Sequence, residues 1–225
     1  LGCEIYLVNR EEVDRARENN ESTRFTHFIL LAKNYEGYKQ LSKLSSKGWE
    51  NSFYHRGMER TPVYKEDLKE ILESNKGNLI GSSACLGSEF AQLCLAFLAT
   101  KSPMIQQKIM DFLQEMVNLF GDDFYIELQP SHGEEQIAYN EFALSLAKYY
   151  NIKTIITTDA HYQRPEYKET HTIFLRSQKA ERETEDFYAT TYLMEVAEMR
   201  EYFDYMDLED FNYCMKNTIE IGNKI

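Results

Sequence analysis

A chain of 225 residues, 43% of them hydrophobic and 13% aromatic, can bury one sizeable core, so a single compact domain over residues 1–225 is expected. Its formal charge of −12 excludes a broad electrostatic grip on duplex DNA, which needs clustered Lys and Arg, but accommodates a local site rich in carboxylates. The four cysteines, Cys3, Cys85, Cys94 and Cys214, are scattered without a CxxC pair, which excludes a secreted-type disulfide framework and points to a reduced, cytoplasmic protein.

The first residues, Leu-Gly-Cys-Glu, already lie in a strand-like segment and lack an initiator Met, so the chain reads as a piece of something longer. Short apolar runs rich in β-formers predict strands over Glu4–Val8, Thr26–Ala32, Asn78–Ser82, Phe124–Gln129 and Ile152–Thr157. The charged or turn-rich stretches Arg10–Arg24 and Lys47–Thr61 read as loops. Leu93–Ala99, the longest apolar run, is too short to span a bilayer.

Ser102-Pro103 predicts an N-cap followed by Pro in the first turn; Ile105, Ile109, Phe112, Met116 and Leu119 then line one helical face, and Gly121 stops the helix. Ser131 and Glu134 have capping-box spacing ahead of a second stripe, Tyr139, Phe142, Ala143, Leu146 and Tyr150. After Tyr188 the pattern turns helical, over Glu195–Phe203 and Leu208–Ile221. The alternation of strand and helix predicts an α/β fold, a largely parallel sheet covered by helices, with closure into a barrel as one form of it.

In such folds the ligand site lies at the C-terminal ends of the strands. Asp159 and His161, in "ITTDAHY", follow the last predicted strand, and in extended backbone residues two apart face the same way. Glu4, His27 and Cys85 are likewise polar or metal-capable residues set in or just after apolar strands. Carboxylate, imidazole and thiolate together suit a transition metal, and a cysteine ligand favours zinc or another fairly soft ion over magnesium. Singly, each has an ordinary reading: a buried small side chain for Cys85, a satisfied strand histidine for His27, a solvent-facing carboxylate for Glu4. The joint occurrence of five is what points to a metal centre. Cys94 and Cys214 are assigned to packing.

The blocks "GCEIYL", "HFILLAKNYEGYKQLSKLSS", "LIGSSACLGSE", "FYIELQPSHGEEQ", "ITTDAHY", the segment around His171 and "NTIEIGNK" together resemble the polymerase and histidinol phosphatase (PHP) domain of bacterial replicative DNA polymerase III alpha subunits. They come in the family's order and cover nearly the whole chain. The resemblance implies a distorted barrel of seven strand-and-helix units with up to three metal ions at the strand ends. Its metal ligands carry over to Glu4, His27, Cys85, Asp159 and His161, the last two as catalytic centre. Zinc, with manganese or iron as alternatives, is the implied ion.

The same resemblance implies metal-dependent phosphoester hydrolysis, including 3′-5′ exonuclease action, in a parent that is a DNA-directed DNA polymerase acting in replication. DNA and other replisome subunits are then partners through the parent. The family's first ligand blocks, a His-x-His with a following Asp and an Asp-His, are absent from this chain. An incomplete barrel lacking its first strands follows, with residues 1–190 as the barrel part and 191–225 as helices leading toward the polymerase region. Weak metal binding, little hydrolysis and self-association through exposed sheet edges are expected of such a fragment. Glu127 and Gln129 could orient ligands from behind, and His132 and Arg56 are loop candidates for phosphate contact, with an ordinary surface role favoured for each. Two other readings stand beside this one: a non-catalytic module that stabilises a polymerase, and a free-standing PHP phosphoesterase.

Overall fold

A computed structural model describes residues 1–177 and 186–225 of the chain. Packing divides it into two compact units, Leu1–Ile126 with Ile221–Ile225, and Glu127–Glu220.

The first unit contains, in chain order, β1 (Gly2–Val8), α1 (Arg10–Glu18), β2 (His27–Ala32), α2 (Tyr35–Glu50), β3 (Phe53–His55), β4 (Met58–Arg60), β5 (Pro62–Tyr64), α3 (Lys65–Ser74), β6 (Leu79–Ser82), α4 (Glu89–Thr100), α5 (Pro103–Phe120) and the start of β7 (Phe124–Leu128). Its strands lie in the order β5-β1-β2-β6-β7. β1 with β5 and β6 with β7 are parallel, as strand-helix alternation predicts, whereas β2 runs antiparallel to both β1 and β6. The connection from β1 to β2, through α1 and residues 19–26, leaves and re-enters the sheet at the same end.

Two segments expected to be loops are ordered. Arg10–Glu18 forms α1, which buries only Val13 and Ala16, so charged residues hide its apolar stripe from a reading of periodicity. Beyond residue 47, α2 continues to Glu50, and a hairpin of β3 and β4 follows. Its turn places Arg56 and Gly57 at φ of 50° and 83°, the left-handed pair that a two-residue hairpin turn requires. α5 begins at Ser102-Pro103 and ends at Gly121, as expected. The centre of the unit is aromatic: Phe28 lies 5.8 Å from Phe120 and 6.4 Å from Phe124 between ring centroids, and Phe90 stacks on Phe112 at 5.7 Å.

Asn34 caps α2, its side chain accepting from Gly37 N at 3.0 Å. A Cβ on Gly37 would stand 2.2 Å from the Asn78 carbonyl oxygen. Gly37→Ala should therefore destabilise the unit by about 1–3 kcal/mol despite alanine's better helix propensity. Urea unfolding checks this; a neutral or stabilising result would show that the contact relaxes freely.

Asp123 lies between two ammonium groups, Lys33 Nζ at 2.6 Å and Lys224 Nζ at 2.8 Å, and the latter also donates to the Tyr125 hydroxyl at 2.8 Å. Burial works to raise the Asp123 pKa, but the two lysines outweigh it and hold the carboxyl below its usual range. A lowered folded pKa contributes stability above the unfolded value, lost as pH falls through the folded one. Acid unfolding of the native chain should thus be steeper below about pH 4 than that of Asp123→Asn, and superposable curves would refute the assignment.

The second unit holds the end of β7, α6 (Glu134–Tyr150), β8 (Lys153–Ile156), α7 (Lys168–Ser177), α8 (Val196–Glu201) and most of α9 (Leu208–Lys224). Thr157 N donates to Leu128 O at 3.1 Å, setting β8 beside β7. The capping box expected at Ser131 and Glu134 is not formed. Gly133 is the N-cap of α6, and Ser131 Oγ instead accepts from Gly133 N at 2.9 Å, closing a turn before the helix.

α9 is fastened to β8 by side chains. Asn217, 3% exposed, donates to Thr154 O at 2.9 Å, and Thr218 Oγ1 donates to Ile156 O at 3.3 Å. Because backbone groups alternate direction along a strand and Thr157 N faces β7, these two carbonyls point away from it. The "NT" of the closing block thus occupies the outer edge of β8. Cys214 is fully buried and lies 3.0 Å from Thr154 Oγ1, while Cys94 is fully buried in α4, the packing roles expected of both. Among the described residues no helix is long and apolar enough to cross a membrane.

Candidate metal centre

In the first unit the β1–β2 register pairs Glu4 with Ile29 and Tyr6 with His27. Glu4 and His27 are therefore diagonal neighbours on one face. Cys85 follows β6, presented by a bend at Ala84, whose φ of 57° is a left-handed conformation that alanine rarely adopts. His27 Nδ1 lies 2.7 Å from Glu4 Oε1 and 3.4 Å from Cys85 Sγ. Gly87 closes the group: its N–H donates to Cys85 Sγ at 3.4 Å, and its carbonyl accepts from His27 N at 3.3 Å. A Cβ there would meet both Sγ and Nδ1 at 3.3 Å, so glycine leaves the space over these donors open.

Hydrogen bonds to Cys85 and then to Glu4, partly offset by burial, push the His27 pKa up to about 10. Without a metal, His27 Nδ1 bridges Glu4 and Cys85. The donor set of carboxylate, imidazole and thiol fits a zinc-like ion in type and proximity. One nitrogen faces both partners, however, so the three side chains are closed on one another. Among the described residues no group of three or more His, Cys, Asp or Glu side chains is arranged to hold an ion.

Asp159 and His161 belong to the second unit, and here the extended geometry expected of them is corrected. β8 ends at Ile156, and Asp159 has φ of 47°, so the pair lies in a turn and the two-residue alternation does not apply. The turn achieves another orientation instead. His161 Nδ1 is 2.6 Å from Asp159 O, and His161 N donates to Thr191 O at 2.8 Å. With its Nδ1 proton on that carbonyl, the imidazole keeps its Nε2 lone pair for a ligand.

Glu127 and Gln129, 5% and 6% exposed, do share a face at the end of β7, with Gln129 Nε2 donating to Glu127 Oε1 at 3.0 Å. Thr157 Oγ1 also donates to that carboxylate, so Glu127 holds the base of the turn that carries Asp159. Behind them Asn140, fully buried in α6, accepts from Gln129 N at 3.3 Å and from Gln136 Nε2 at 2.9 Å. Its amide donates to Gln129 O and to the Tyr205 hydroxyl, both at 2.8 Å. Thr157, Asn140 and Tyr205 were not singled out from sequence. Only Asn140 left a signal, a polar residue beside Tyr139 on the buried stripe of a helix.

The loop candidates stay on the surface. Arg56 is exposed at the tip of the β3–β4 turn, and exposed His132 packs on the Tyr202 ring at 4.5 Å between centroids. His171, in α7, sits 5.7 Å from the His161 ring and 5.0 Å from the Tyr188 ring. Burial, with some help from His161, holds its pKa below the usual histidine value.

A family model described as the PHP domain matches residues 1–131. The chain is 42% identical over 235 residues to the probable DNA polymerase YorL of Bacillus subtilis (strain 168), covering all of this chain and 18% of that protein. The DNA-directed DNA polymerase of Bacillus phage SPbeta matches with the same identity and coverage. The DNA polymerase III subunit alpha of Aquifex aeolicus is 32% identical over 183 residues, 79% of this chain and 14% of the relative. The chain thus spans less than a fifth of the length of these curated relatives.

Proposed function

The chain belongs to the PHP domain family, with the α/β sheet and flanking helices of a PHP-type barrel fragment, and from that premise we propose that it is the PHP part of a replicative DNA polymerase of the polymerase III alpha type. Its proposed activity is metal-dependent phosphoester hydrolysis, with a single-stranded DNA 3′ end as substrate in the parent. The observation that carries this reading is the approach of Glu4 and Cys85 to one atom, His27 Nδ1, at 2.7 and 3.4 Å. Polymerisation, DNA binding and replisome contacts in the cytoplasm belong to the parent in this reading.

In this reading the metal ligands are Glu4, His27 and Cys85 in the first unit and Asp159 and His161 in the second, and the metal is zinc or similarly soft. When bound, it supplies Lewis-acid polarisation of the phosphate and an activated water. The remaining work is the protein's own. Metal ligation would need His27 unprotonated at Nδ1 and Cys85 as thiolate, and the Gly87 N–H is placed to stabilise that thiolate. The bond from His161 Nδ1 to Asp159 O sets the ligating nitrogen, and Glu127 fixes the turn through Thr157.

A second reading, a non-catalytic module that stabilises the polymerase, is favoured by the closure of the three donors on one another. Metal analysis by mass spectrometry and 3′-end hydrolysis, on the full-length protein carrying this sequence and on its Cys85→Ala, Asp159→Ala and His161→Ala forms, separates the two. Metal and hydrolysis lost together in the variants support the enzyme. A stably folded, metal-free parent with no hydrolysis sinks it in favour of the module. The chain by itself should hydrolyse little.

A further inference from the structure

The arginines of this chain are segregated. Residues 10–32 and 51–60 hold six arginines and no lysine, whereas the rest of the chain holds four arginines and fifteen lysines. The fold brings the two segments together in the first unit, as α1 with the segment leading into β2, and the β3–β4 hairpin. Arg17 lies over the Phe53 ring at 4.3 Å and Arg60 over the Phe25 ring at 4.8 Å, those two rings are 6.1 Å apart, and His55 Nε2 is 2.9 Å from Glu21 O. The same rings continue a row that begins in the metal centre, where His27 is 5.6 Å from Tyr6 and Tyr6 is 5.8 Å from Phe25 between centroids.

The guanidiniums are also uncommitted. Lysines elsewhere hold carboxylates closely, Lys33 and Lys153 at 2.6 Å, Lys65 and Lys224 at 2.8 Å. Of the six arginines, Arg10 and Arg17 come no nearer to one than 3.9 and 3.7 Å, and Arg15, Arg24, Arg56 and Arg60 make no ion pair among the described residues. Arg60 Nη2 meets the Met58 sulfur at 3.5 Å, and its Nε is enclosed without a partner among the described residues. Carboxylates are as numerous in these segments, at Glu11, Glu12, Asp14, Glu18, Glu21 and Glu59, so no broad positive field results. The face offers planar forks instead, which match phosphate oxygens in pairs and stack on flat rings as an ammonium cannot. Beside them Tyr54 is 76% exposed, and its hydroxyl donates to Gly57 O at 2.9 Å, tying an open aromatic ring to the hairpin turn.

We propose that this arginine face binds single-stranded DNA, its guanidiniums gripping phosphates while a base stacks on Tyr54. It rests on the reading above of a parent that acts on a single-stranded 3′ end, and the row of rings gives that strand a course toward His27. With no net positive charge to draw the strand from a distance, recognition here is short-ranged, by fork and ring.

The test is photocrosslinking of the full-length protein that carries this sequence to a single-stranded oligothymidylate bearing 4-thiothymidine, with attachment points located by mass spectrometry and thermal melting alongside. Arg17→Lys combined with Arg56→Lys keeps both charges and removes both forks, at two exposed positions. The expected result is attachment within residues 53–59, reduced about fivefold or more in the double variant while it melts as the native protein does. Arg56→Lys alone, at the exposed turn, should lower the yield in the same direction and decides the matter if the double variant melts lower. Attachment only outside α1 and the hairpin, or attachment undiminished by lysine, overturns the proposal; 3′-end hydrolysis by the native protein beside either result leaves the reading above standing. Arginine-dependent attachment in a native protein that hydrolyses no 3′ end upholds the face and sinks the hydrolysis.

Discussion

In the metal-free chain, His27 should remain protonated well above neutrality and titrate at about pH 10, and Cys85→Ala should bring that value down by more than any other single change. The order follows from the causes: the hydrogen bond with Cys85 is the largest, that with Glu4 the second, and burial opposes both. A raised pKa adds stability that is fully present below the unfolded value, about 6.5, and is lost as pH rises through the folded one. The metal-free chain should therefore lose stability between neutrality and pH 10, and Cys85→Ala should flatten that decline. Metal competes with the same proton, so apparent affinity at this site should climb with pH over the same interval. Imidazole NMR titrations of the native and Cys85→Ala chains measure this directly. A His27 midpoint near 6.5 in the native chain would mean that the three side chains do not meet in solution.

Asn140→Leu should cost about 3–5 kcal/mol, the largest loss of stability expected from a single substitution in the second unit. Leucine is close in volume, so the penalty is not a cavity. It comes from stripping partners from the backbone of Gln129, which exchanges both its N–H and its carbonyl with this one amide, and from the Gln136 and Tyr205 side chains. Tyr205→Phe removes one of these bonds and should cost about 1 kcal/mol, which makes the comparison internal. Urea unfolding of the three proteins gives the ranking. A loss below about 1 kcal/mol for Asn140→Leu would mean that water replaces the amide and that the network is looser than its geometry.

Sequence made some of this legible and hid the rest for identifiable reasons. The five predicted strands all formed, with ends displaced by no more than two residues, because short apolar β-rich runs bounded by polar residues have few other uses. α1 and the β3–β4 hairpin stayed hidden, since one buries only two residues and the other depends on a turn that Arg56 enters at positive φ. At the site, Glu4, His27 and Cys85 were picked out from strand context, and the antiparallel register brings the first two together. The turn at Asp159 was misread as extended because nothing in "TTDAHY" states a φ of 47°. Thr157 and Tyr205 were out of reach for a different reason. Their partners Glu127 and Asn140 are 30 and 65 residues away, and side-chain hydrogen bonds of that range leave no periodicity behind.

The attachment of α9 to β8 bears on how this protein avoids its own kind. A strand whose outer carbonyls are bare is a template on which another chain can grow, the usual beginning of aggregation in sheet proteins. Asn217 and Thr218 present amide and hydroxyl donors where an intruding strand would present its backbone. They mimic a neighbour without being one, and a helix cannot be extended sideways. The sheet is thereby given a last strand, and two small polar side chains make further growth on that side a competition with the molecule's own helix.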